Sequence, residues 1–310
     1  GDNLPEDRSV TTFAVTTALP GRAPEMLAAA GEVRDVPGGG PLEREQLLEL
    51  VEGVDVAITM LYERVDEEFL DAAGPSLRGV CNLAVGFDNI DLAACARRGV
   101  TVTNTPGVLD DATADLAFAL ILASRRRLGE GERLVRAGEP WQFGLNFMVG
   151  HALAGGRLGI VGLGGIGARV GARGRGFGME IAYYGRRESP HAAELEATRL
   201  DLDELLSTSD AISLHTPLTP ATHHLIGARE LGLMKPSATL VNTARGAVID
   251  EAALVEALRD GKIAGAGLDV YENEPQVHPG LLGLENVVLL PHIASATVET
   301  RAPMAELATR

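Results

Sequence analysis

The sequence is poor in cysteine and in positive charge. Its 310 residues include only Cys81 and Cys95, too few to brace the chain with disulfides, so we expect a reducing compartment. Lys and Arg total 27 against 43 Asp and Glu, which gives a formal net charge of −16. A phosphate backbone would be repelled by that charge, and no basic tract offsets it, so we expect no nucleic-acid partner.

Long hydrophobic runs are also missing. The longest spans residues 116–123, far short of the length that crosses a membrane. Residues 1–7 are acidic and lack the apolar region of a signal peptide. We therefore expect a cytoplasmic protein with no membrane partner. Because residue 1 is glycine rather than methionine, and the last helical pattern has no stop signal, we expect the natural chain to continue beyond these ends.

Short apolar runs alternate with amphipathic stretches along nearly the whole chain. This pattern predicts repeated βα units and parallel sheets, and 310 residues are enough for two domains. We predict an α/β fold with two doubly wound parallel-sheet domains. The strands predicted in the first third are 12–16, 55–60, 79–84 and 101–103, and those predicted in the second series are 158–161, 180–183, 211–214, 239–241, 265–268 and 286–290.

A long apolar helix is predicted between the two series of strands, at residues 112–128. It carries apolar residues on most faces, which indicates burial between domains or at an oligomer interface. Shorter helices are predicted at 42–52, 66–73 and 91–98, and a last one at 299–309.

A glycine-rich motif follows the first strand of the second series. It reads Gly162-Leu163-Gly164-Gly165-Ile166-Gly167, a G-x-G-x-x-G between a buried strand and an amphipathic helix. Gly162 permits a tight turn, Gly164 lets the backbone approach a pyrophosphate, and Gly167 lets the helix pack closely on the sheet. Because a second strand follows the helix, the motif predicts a Rossmann-like domain that binds a nicotinamide dinucleotide.

The end of that second strand indicates which nicotinamide is bound. NAD-binding domains place an acidic residue there for the ribose 2′-hydroxyl, but this chain has Gly185, followed by Arg186 and Arg187. Without the acid a 2′-phosphate is not repelled, and two guanidinium groups can grip it. We predict a preference for NADP(H), with NAD(H) still possible. The alternative is that both arginines are solvated surface charges that pair with Glu188.

Ionisable residues follow several predicted strands of the second series, where doubly wound sheets bind their ligands. Such a set could reduce a 2-keto acid: arginine binds the carboxylate and polarises the ketone, histidine gives a proton, and an acid keeps the histidine protonated. The residues themselves leave two choices open, between the two histidines and between the two acids. The candidates are His215, Arg245, Asp269, Glu274 and His292.

Four motifs in the second half resemble the D-isomer-specific 2-hydroxyacid dehydrogenase family, and within it most closely the glyoxylate/hydroxypyruvate reductases. Residues 82–91 and 103–107 extend the likeness into the first third, so that it covers about residues 50–305 in the right order. The four motifs are GLGGIG at 162–167, VNTARG at 241–246, GLDVYENEP at 267–275 and LPHI at 290–293.

The resemblance implies roles for these residues. The catalytic arginine, glutamate and histidine of the family fall on Arg245, Glu274 and His292. Backbone amides around Val85 and Gly86 would hold the substrate carboxylate, together with Arg245 and His292. The residues implied to contact or lie near the cofactor, besides the glycine motif and 185–187, are His215, Thr216, Pro217, Thr243, Ala244, Arg245, Asp269 and His292.

The resemblance also implies an organisation of the chain. Residues 1–106 and 292–310 would form the substrate-binding domain and 107–291 the NAD(P)-binding domain, with the substrate in the cleft between them. The apolar helix after Gly107 fits the homodimer of the family, built mainly through the cofactor domains. No metal site is implied.

Some positions depart from the family pattern. Gly165 stands where the family usually has Arg or Lys, so backbone amides and the helix N-terminus would have to hold the pyrophosphate without a side chain from that position. Val85 replaces the lysine of the related phosphite dehydrogenases, which argues against that activity. Trp141 and Phe143 lie where such reductases place an aromatic near the active site, or they are merely packing residues in a linker.

The sequence supports three hypotheses about function. We favour NADPH-dependent reduction of glyoxylate or hydroxypyruvate to the D-hydroxyacid. The first alternative is a D-2-hydroxyacid dehydrogenase for bulkier keto acids. The second is a non-catalytic, nicotinamide-sensing binding module, like the transcriptional co-repressors that resemble these dehydrogenases.

Overall fold

The computed structural model describes residues 10–36, 39–138 and 140–310. The expectation that residues 1–7 are not a signal peptide therefore concerns residues outside the described part. The described chain forms two compact units. One contains the residues up to Leu109 together with Ala296–Arg310, and the other contains Asp110–Ser295.

The first unit is built on a five-stranded sheet in the order β2-β1-β3-β4-β5, with every neighbouring pair parallel. Two of its helices begin at an aspartate whose carboxylate accepts a backbone N–H of the first turn, Asp66 from Phe69 and Asp91 from Ala94. Its elements in chain order are β1 (Thr12–Val15), α1 (Ala23–Ala30), β2 (Glu32–Asp35), α2 (Arg44–Val51), β3 (Val56–Thr59), α3 (Glu67–Ala73), β4 (Gly79–Asn82), α4 (Leu92–Arg97) and β5 (Thr101–Thr103).

The second unit is built on a seven-stranded parallel sheet in the order β12-β11-β10-β9-β6-β7-β8. The chain starts at β6 in the interior, moves outward to β8, and returns to fill the other side. The elements are α5 (Asp110–Arg125), α6 (Leu128–Arg136), β6 (Arg157–Val161), α7 (Gly165–Gly176), β7 (Glu180–Tyr184), β8 (Thr198–Arg199), α8 (Leu202–Thr208), β9 (Ala211–Leu214), α9 (Ala228–Leu233), β10 (Thr239–Asn242), α10 (Glu251–Arg259), β11 (Gly265–Leu268), α11 (Pro279–Leu282) and β12 (Val287–Leu289).

The last helix, α12 (Val298–Ala308), belongs to the first unit and packs against α1. The predicted fold class, α/β with two parallel sheets, is confirmed. Two strands were not predicted, β2 and β8, and each lies at the edge of its sheet. All but one of their residues are exposed, so they lack the apolar run that marks an interior strand.

Helix α5 is buried as expected, but its own unit covers it. It packs on β10, β11 and α7, and its buried residues include Phe118, Leu120 and Ile121. These side chains are buried within the single chain, in contact with elements of their own unit. None of the described helices is both long and apolar enough to cross a membrane.

Two glycines of the motif at 162–167 are required by space. Gly162 has φ +98°, and a Cβ there would lie 2.7 Å from the carbonyl oxygen of His215. A Cβ on Gly167 would lie 2.2 Å from the carbonyl oxygen of Gly162. Helix α7 can therefore approach the end of β6 only because both positions lack a side chain.

Replacement of Gly167 by alanine should lower the stability of the second unit. A backbone carbonyl cannot move aside cheaply, so we expect a loss of about 2 kcal/mol or more. The matched control is Gly176→Ala on the same helix, where a Cβ meets nothing within 4 Å and stability should stay level or rise. Thermal unfolding followed by circular dichroism measures both, and equal melting temperatures would contradict the packing argument.

Candidate active site

The predicted site residues of the second unit follow the ends of its strands. Because all seven strands are parallel, their carboxyl ends lie along one edge of the sheet. The structure thus brings these residues to a single edge. Gly162 follows β6, Gly185 follows β7, His215 follows β9, Thr243 follows β10, Asp269 follows β11 and His292 comes three residues after β12.

A histidine and a glutamate form the central pair at this edge. Nδ1 of His292 lies 2.7 Å from Oε2 of Glu274, whose other oxygen accepts the N–H of Tyr271 at 3.0 Å. Burial by itself would raise the pKa of Glu274. The hydrogen bond and charge of His292, the N–H of Tyr271 and the charge of Arg245 outweigh burial and hold that pKa below its ordinary value.

Asp269 serves the backbone of the loop that carries His292. Its fully buried carboxylate accepts the N–H groups of Ile293 and Ala294, both at 2.8 Å. These bonds fix the chain just after His292, which has the left-handed φ of +56°. Burial raises the pKa of Asp269 in spite of the two bonds. Glu274, rather than Asp269, is therefore the acid that contacts the histidine.

The other candidate histidine has a different environment. Nε2 of His215 lies 2.8 Å from Oγ of Ser213, and burial lowers the pKa of His215 to about 4. The ring is therefore neutral at pH 7 and has no proton to give as an imidazolium. Of the two histidines that residue type and spacing left open, His292 alone has a carboxylate at hydrogen-bond distance among the described residues.

Arg245 is carried by a turn that Asn242 holds. The Asn242 amide, at the buried end of β10, donates to the carbonyl of Arg245 at 2.8 Å and accepts the N–H of Ala244 at 3.0 Å. A Cβ on Gly246 would fall 1.8 Å from the carbonyl carbon of Tyr271, so this turn packs directly on the loop of Glu274. Sequence reasoning gave Asn242 no role, although a buried asparagine ending an apolar strand was a usable signal.

The same edge offers groups that fit a dinucleotide. Helix α7 has Gly164 as its N-cap residue and no side-chain cap, so its first N–H groups can receive a phosphate. The buried hydroxyls of Thr216 and Thr243 have no hydrogen-bond partner among the described residues. Unsatisfied buried hydroxyls of this kind are expected where a polar ligand supplies the missing partner.

Gly165 is surrounded in a way that explains its departure from the family pattern. A Cβ there would lie 2.5 Å from Oδ2 of Asp110, the first residue of α5. Nη1 of Arg169 donates to that carboxylate at 3.2 Å and to the carbonyl of Gly165 at 3.3 Å. Asp110 thus occupies the space that an arginine or lysine at position 165 would need.

Arg186 and Arg187 are exposed in the turn after β7, and neither forms an ion pair within the described residues. The expected alternative, a pair with Glu188, is therefore absent from this arrangement. The turn is tied to the glycine motif, because Oγ of Ser189 donates to the carbonyl of Leu163 at 2.6 Å. The two guanidinium groups are thus carried by a segment anchored beside the start of α7.

Val85 and Gly86 lie in the first unit, in the loop after β4. The carbonyl of Val85 accepts from the Asn104 amide at 2.8 Å, and that of Gly86 accepts from the Asn82 amide at 2.9 Å. Their own N–H groups donate to no atom among the described residues. Such a pair of N–H groups can bind an anion such as a carboxylate.

Two further predictions concern side chains outside this edge. Within 10–36, 39–138 and 140–310, no three His, Cys, Asp or Glu side chains are placed to hold a metal ion. Trp141 is half exposed and Phe143 almost fully exposed, and a place for either near the active site stays a prediction.

Comparisons with known proteins place this geometry in a family. Residues 118–294 match the model of the D-isomer specific 2-hydroxyacid dehydrogenase NAD-binding domain. The chain is 50% identical over 301 residues to a glyoxylate reductase of Thermococcus gammatolerans, covering 96% of this chain and 90% of that protein.

Solved structures agree with this match. A glyoxylate reductase from Paecilomyes thermophila superposes with a TM-score of 0.87 at 38% identity, covering 97% of this chain and 93% of the other. An NADPH-dependent glyoxylate/hydroxypyruvate reductase from Sinorhizobium meliloti, solved with NADP and malonate, gives 0.83 at 35% identity, with 97% and 92% covered. The chain therefore belongs to the D-isomer specific 2-hydroxyacid dehydrogenase family, and its second unit contains an NAD(P)-binding domain.

Proposed function

We propose that this protein reduces a small 2-keto acid, glyoxylate or hydroxypyruvate, to the D-2-hydroxyacid with NADPH. The observation that carries the proposal is the 2.7 Å contact between His292 and Glu274 beside the turn of Arg245. A proton donor with an anionic partner, next to a guanidinium, is what ketone reduction requires from the protein. The similarity to glyoxylate reductases favours a small substrate.

Each residue of the set has a task in this proposal. Bound NADPH would supply the hydride. Because Nδ1 of His292 faces Glu274, its Nε2 is the atom free to give a proton to the ketone oxygen. Glu274 stabilises the protonated ring, and Arg245 binds the carboxylate and polarises the ketone. The N–H groups of Val85 and Gly86 complete the carboxylate site.

We infer the preference for NADPH from Arg186 and Arg187. Both are free of ion pairs in the described chain, and a 2′-phosphate would give them an anionic partner. Gly185 supplies no acid to repel that phosphate. The relative from Sinorhizobium meliloti, described as NADPH-dependent, favours the same coenzyme.

We also infer a homodimer, as expected from the family. Residues 140–149 form an apolar segment outside the core, and its large side chains are exposed to solvent. Several large apolar side chains exposed within one short segment are typical of a surface that another protein covers. The exposed residues are Trp141, Phe143, Leu145, Phe147 and Val149.

The proposed reaction is tested by the loss of reduced-nicotinamide absorbance with glyoxylate, hydroxypyruvate and a bulkier keto acid. We expect the small substrates and NADPH to be preferred. Joint Arg186→Ser and Arg187→Ser changes should lower kcat/KM for NADPH by about 10- to 100-fold, because charged hydrogen bonds contribute about 1.5–3 kcal/mol, and leave NADH nearly unaffected.

The control is Arg229→Ser, which removes an exposed arginine paired with Asp203 on another helix. It should change kcat/KM for neither NADPH nor NADH. A better rate with the bulkier keto acid would favour the first alternative function. Tight coenzyme binding without turnover of any keto acid would reject the proposal and favour a nicotinamide-sensing module.

The Glu274→Gln variant tests the proton donor. It keeps an oxygen near His292 but loses the charge, so kcat/KM for reduction should fall by about 100-fold. Because the folded state lowers the pKa of Glu274, the ionised carboxylate increases the free energy of unfolding of the wild type at pH values above 4.5, the ordinary pKa of glutamate. This contribution to stability is lost as the pH falls through the lowered pKa.

The matched control is Glu272→Gln. Glu272 lies on the same loop as Glu274, but its carboxylate accepts the N–H of Glu251 and does not contact His292. The kcat/KM of this variant for reduction should stay at the wild-type value. An equal kcat/KM for Glu274→Gln and the wild type would rule out the assigned role of Glu274.

The dimer is tested by the mass in solution from light scattering. We expect twice 32.5 kDa for the wild type and a shift toward 32.5 kDa when Phe143 and Leu145 are both changed to serine. Both side chains are almost fully exposed, so the changes should leave the melting temperature of the monomer unaltered. A monomeric wild type would reject the inference.

A further inference from the structure

The loop after β4 is held by its carbonyl groups. Three consecutive carbonyls accept hydrogen bonds: Ala84 from the N–H of Thr105 at 3.0 Å, Val85 from the Asn104 amide, and Gly86 from the Asn82 amide. The peptide planes are therefore fixed from the carbonyl side. The Ala84 and Val85 carbonyls share their peptide planes with the N–H groups of Val85 and Gly86, which remain available, and the bond to the Gly86 carbonyl fixes the plane that follows them.

A pair of asparagine amides connects this loop to the turn after β3. Nδ2 of Asn82 lies 3.1 Å from Oδ1 of Asn89, and Nδ2 of Asn89 lies 3.2 Å from Oδ1 of Asn82. Nδ2 of Asn89 also donates to the carbonyls of Met60 at 3.3 Å and Glu63 at 2.9 Å. The position of Asn89, and through it Asn82, thus depends on the shape of that turn.

A buried carboxylate shapes the turn. Glu63 is 4% exposed, and its Oε2 accepts from Oγ1 of Thr16 at 2.7 Å and from the N–H of Met60 at 2.8 Å. Thr16 follows β1, so the side chain ties the turn after β3 to the neighbouring strand. No other described acid lies so deep in the first unit.

The burial of Glu63 in this turn is energetically unfavourable. Its Oε1 is buried without a hydrogen-bond partner among the described residues. Burial raises the pKa of Glu63, although Met60 and Thr16 act against burial. A buried carboxylate with an unsatisfied oxygen disfavours folding, so stability alone does not account for it. A role in fixing the geometry of the loop after β4 would account for it.

We propose that Glu63 is a positioning residue of the reduction: through Asn89 and Asn82 it holds the N–H groups of Val85 and Gly86 in the orientation that binds the substrate carboxylate. The inference rests on the proposed function for the identity of the anion. Glu63 itself touches neither substrate nor cofactor in this scheme. It acts as a hydrogen-bond acceptor, not by its charge.

The Glu63→Leu variant removes both accepted hydrogen bonds at similar volume. We expect KM for glyoxylate and the inhibition constant of oxamate to rise by about 10-fold or more, since a net hydrogen bond contributes about 1 kcal/mol and two are lost. KM for NADPH should stay within about twofold, and kcat should change less than KM for glyoxylate. Glu63→Gln keeps an acceptor oxygen and should bring both constants back to within about threefold of the wild type.

Leu70→Ala is the matched control, because Leu70 is equally buried in the same unit but has no part in this hydrogen-bond network. It should lower the melting temperature and leave KM for glyoxylate unchanged. If Glu63→Leu behaves like Leu70→Ala, Glu63 is merely structural and the proposal is wrong. If Glu63→Leu does not fold, Asn89→Ala, which breaks the next link, should raise the same two constants.

A binding measurement separates this proposal from the proposed function. In ¹⁵N-labelled protein, oxamate should shift the amide resonances of Val85 and Gly86, and the shift should weaken in Glu63→Leu or Asn89→Ala. A wild type that shows this shift but reduces no keto acid would reject the function and keep the positioning role. No shift in the wild type, or equal shifts in all variants, would overturn the positioning role.

Discussion

The parallel run of all seven strands in the second unit is the constraint on which the candidate site depends. Parallel strands end at one edge, so residues far apart in the chain, such as Gly162 and His292, come to the same side of the sheet without any direct contact between them. The order of the strands, with β6 in the interior, puts the glycine motif between the ends of β7 and β9. An antiparallel sheet would divide these residues between two edges.

Buried polar groups at the strand ends then decide which residues remain available for chemistry. Asp269 gives both oxygens to the backbone beside His292, and Asn242 gives its amide to the turn of Arg245. Each such bond satisfies a group that burial would otherwise penalise, and each fixes a neighbouring side chain. Glu274 keeps one oxygen for His292. In the first unit, hydrogen bonds likewise fix the loop after β4: three of its carbonyl groups accept hydrogen bonds, while the N–H groups of Val85 and Gly86 remain available.

The sequence predicted interior elements better than edges. Strands β6, β9 and β11 are buried almost throughout and consist mostly of apolar or small residues, because both faces of a parallel sheet are covered, and their positions could be predicted within a residue or two. Strands β2 and β8 could not be found that way, since residues at an exposed edge need not be apolar. The covering of α5 also followed from tertiary contacts, because an apolar helix does not state which partner it packs on.

The sequence by itself determined the fold class, the glycine motif, and a short set of ionisable residues at strand ends, because all three depend on residue type and local spacing. Residue type and spacing alone could not choose between His215 and His292, or between Asp269 and Glu274, although the resemblance to the family implied His292 and Glu274. Those choices depend on tertiary contacts: burial lowers the pKa of His215 to about 4, and the N–H groups of Ile293 and Ala294, after β12, engage both oxygens of Asp269. Only the tertiary structure brings those partners together, as it does Asp110 with Gly165 and Glu63 with Thr16.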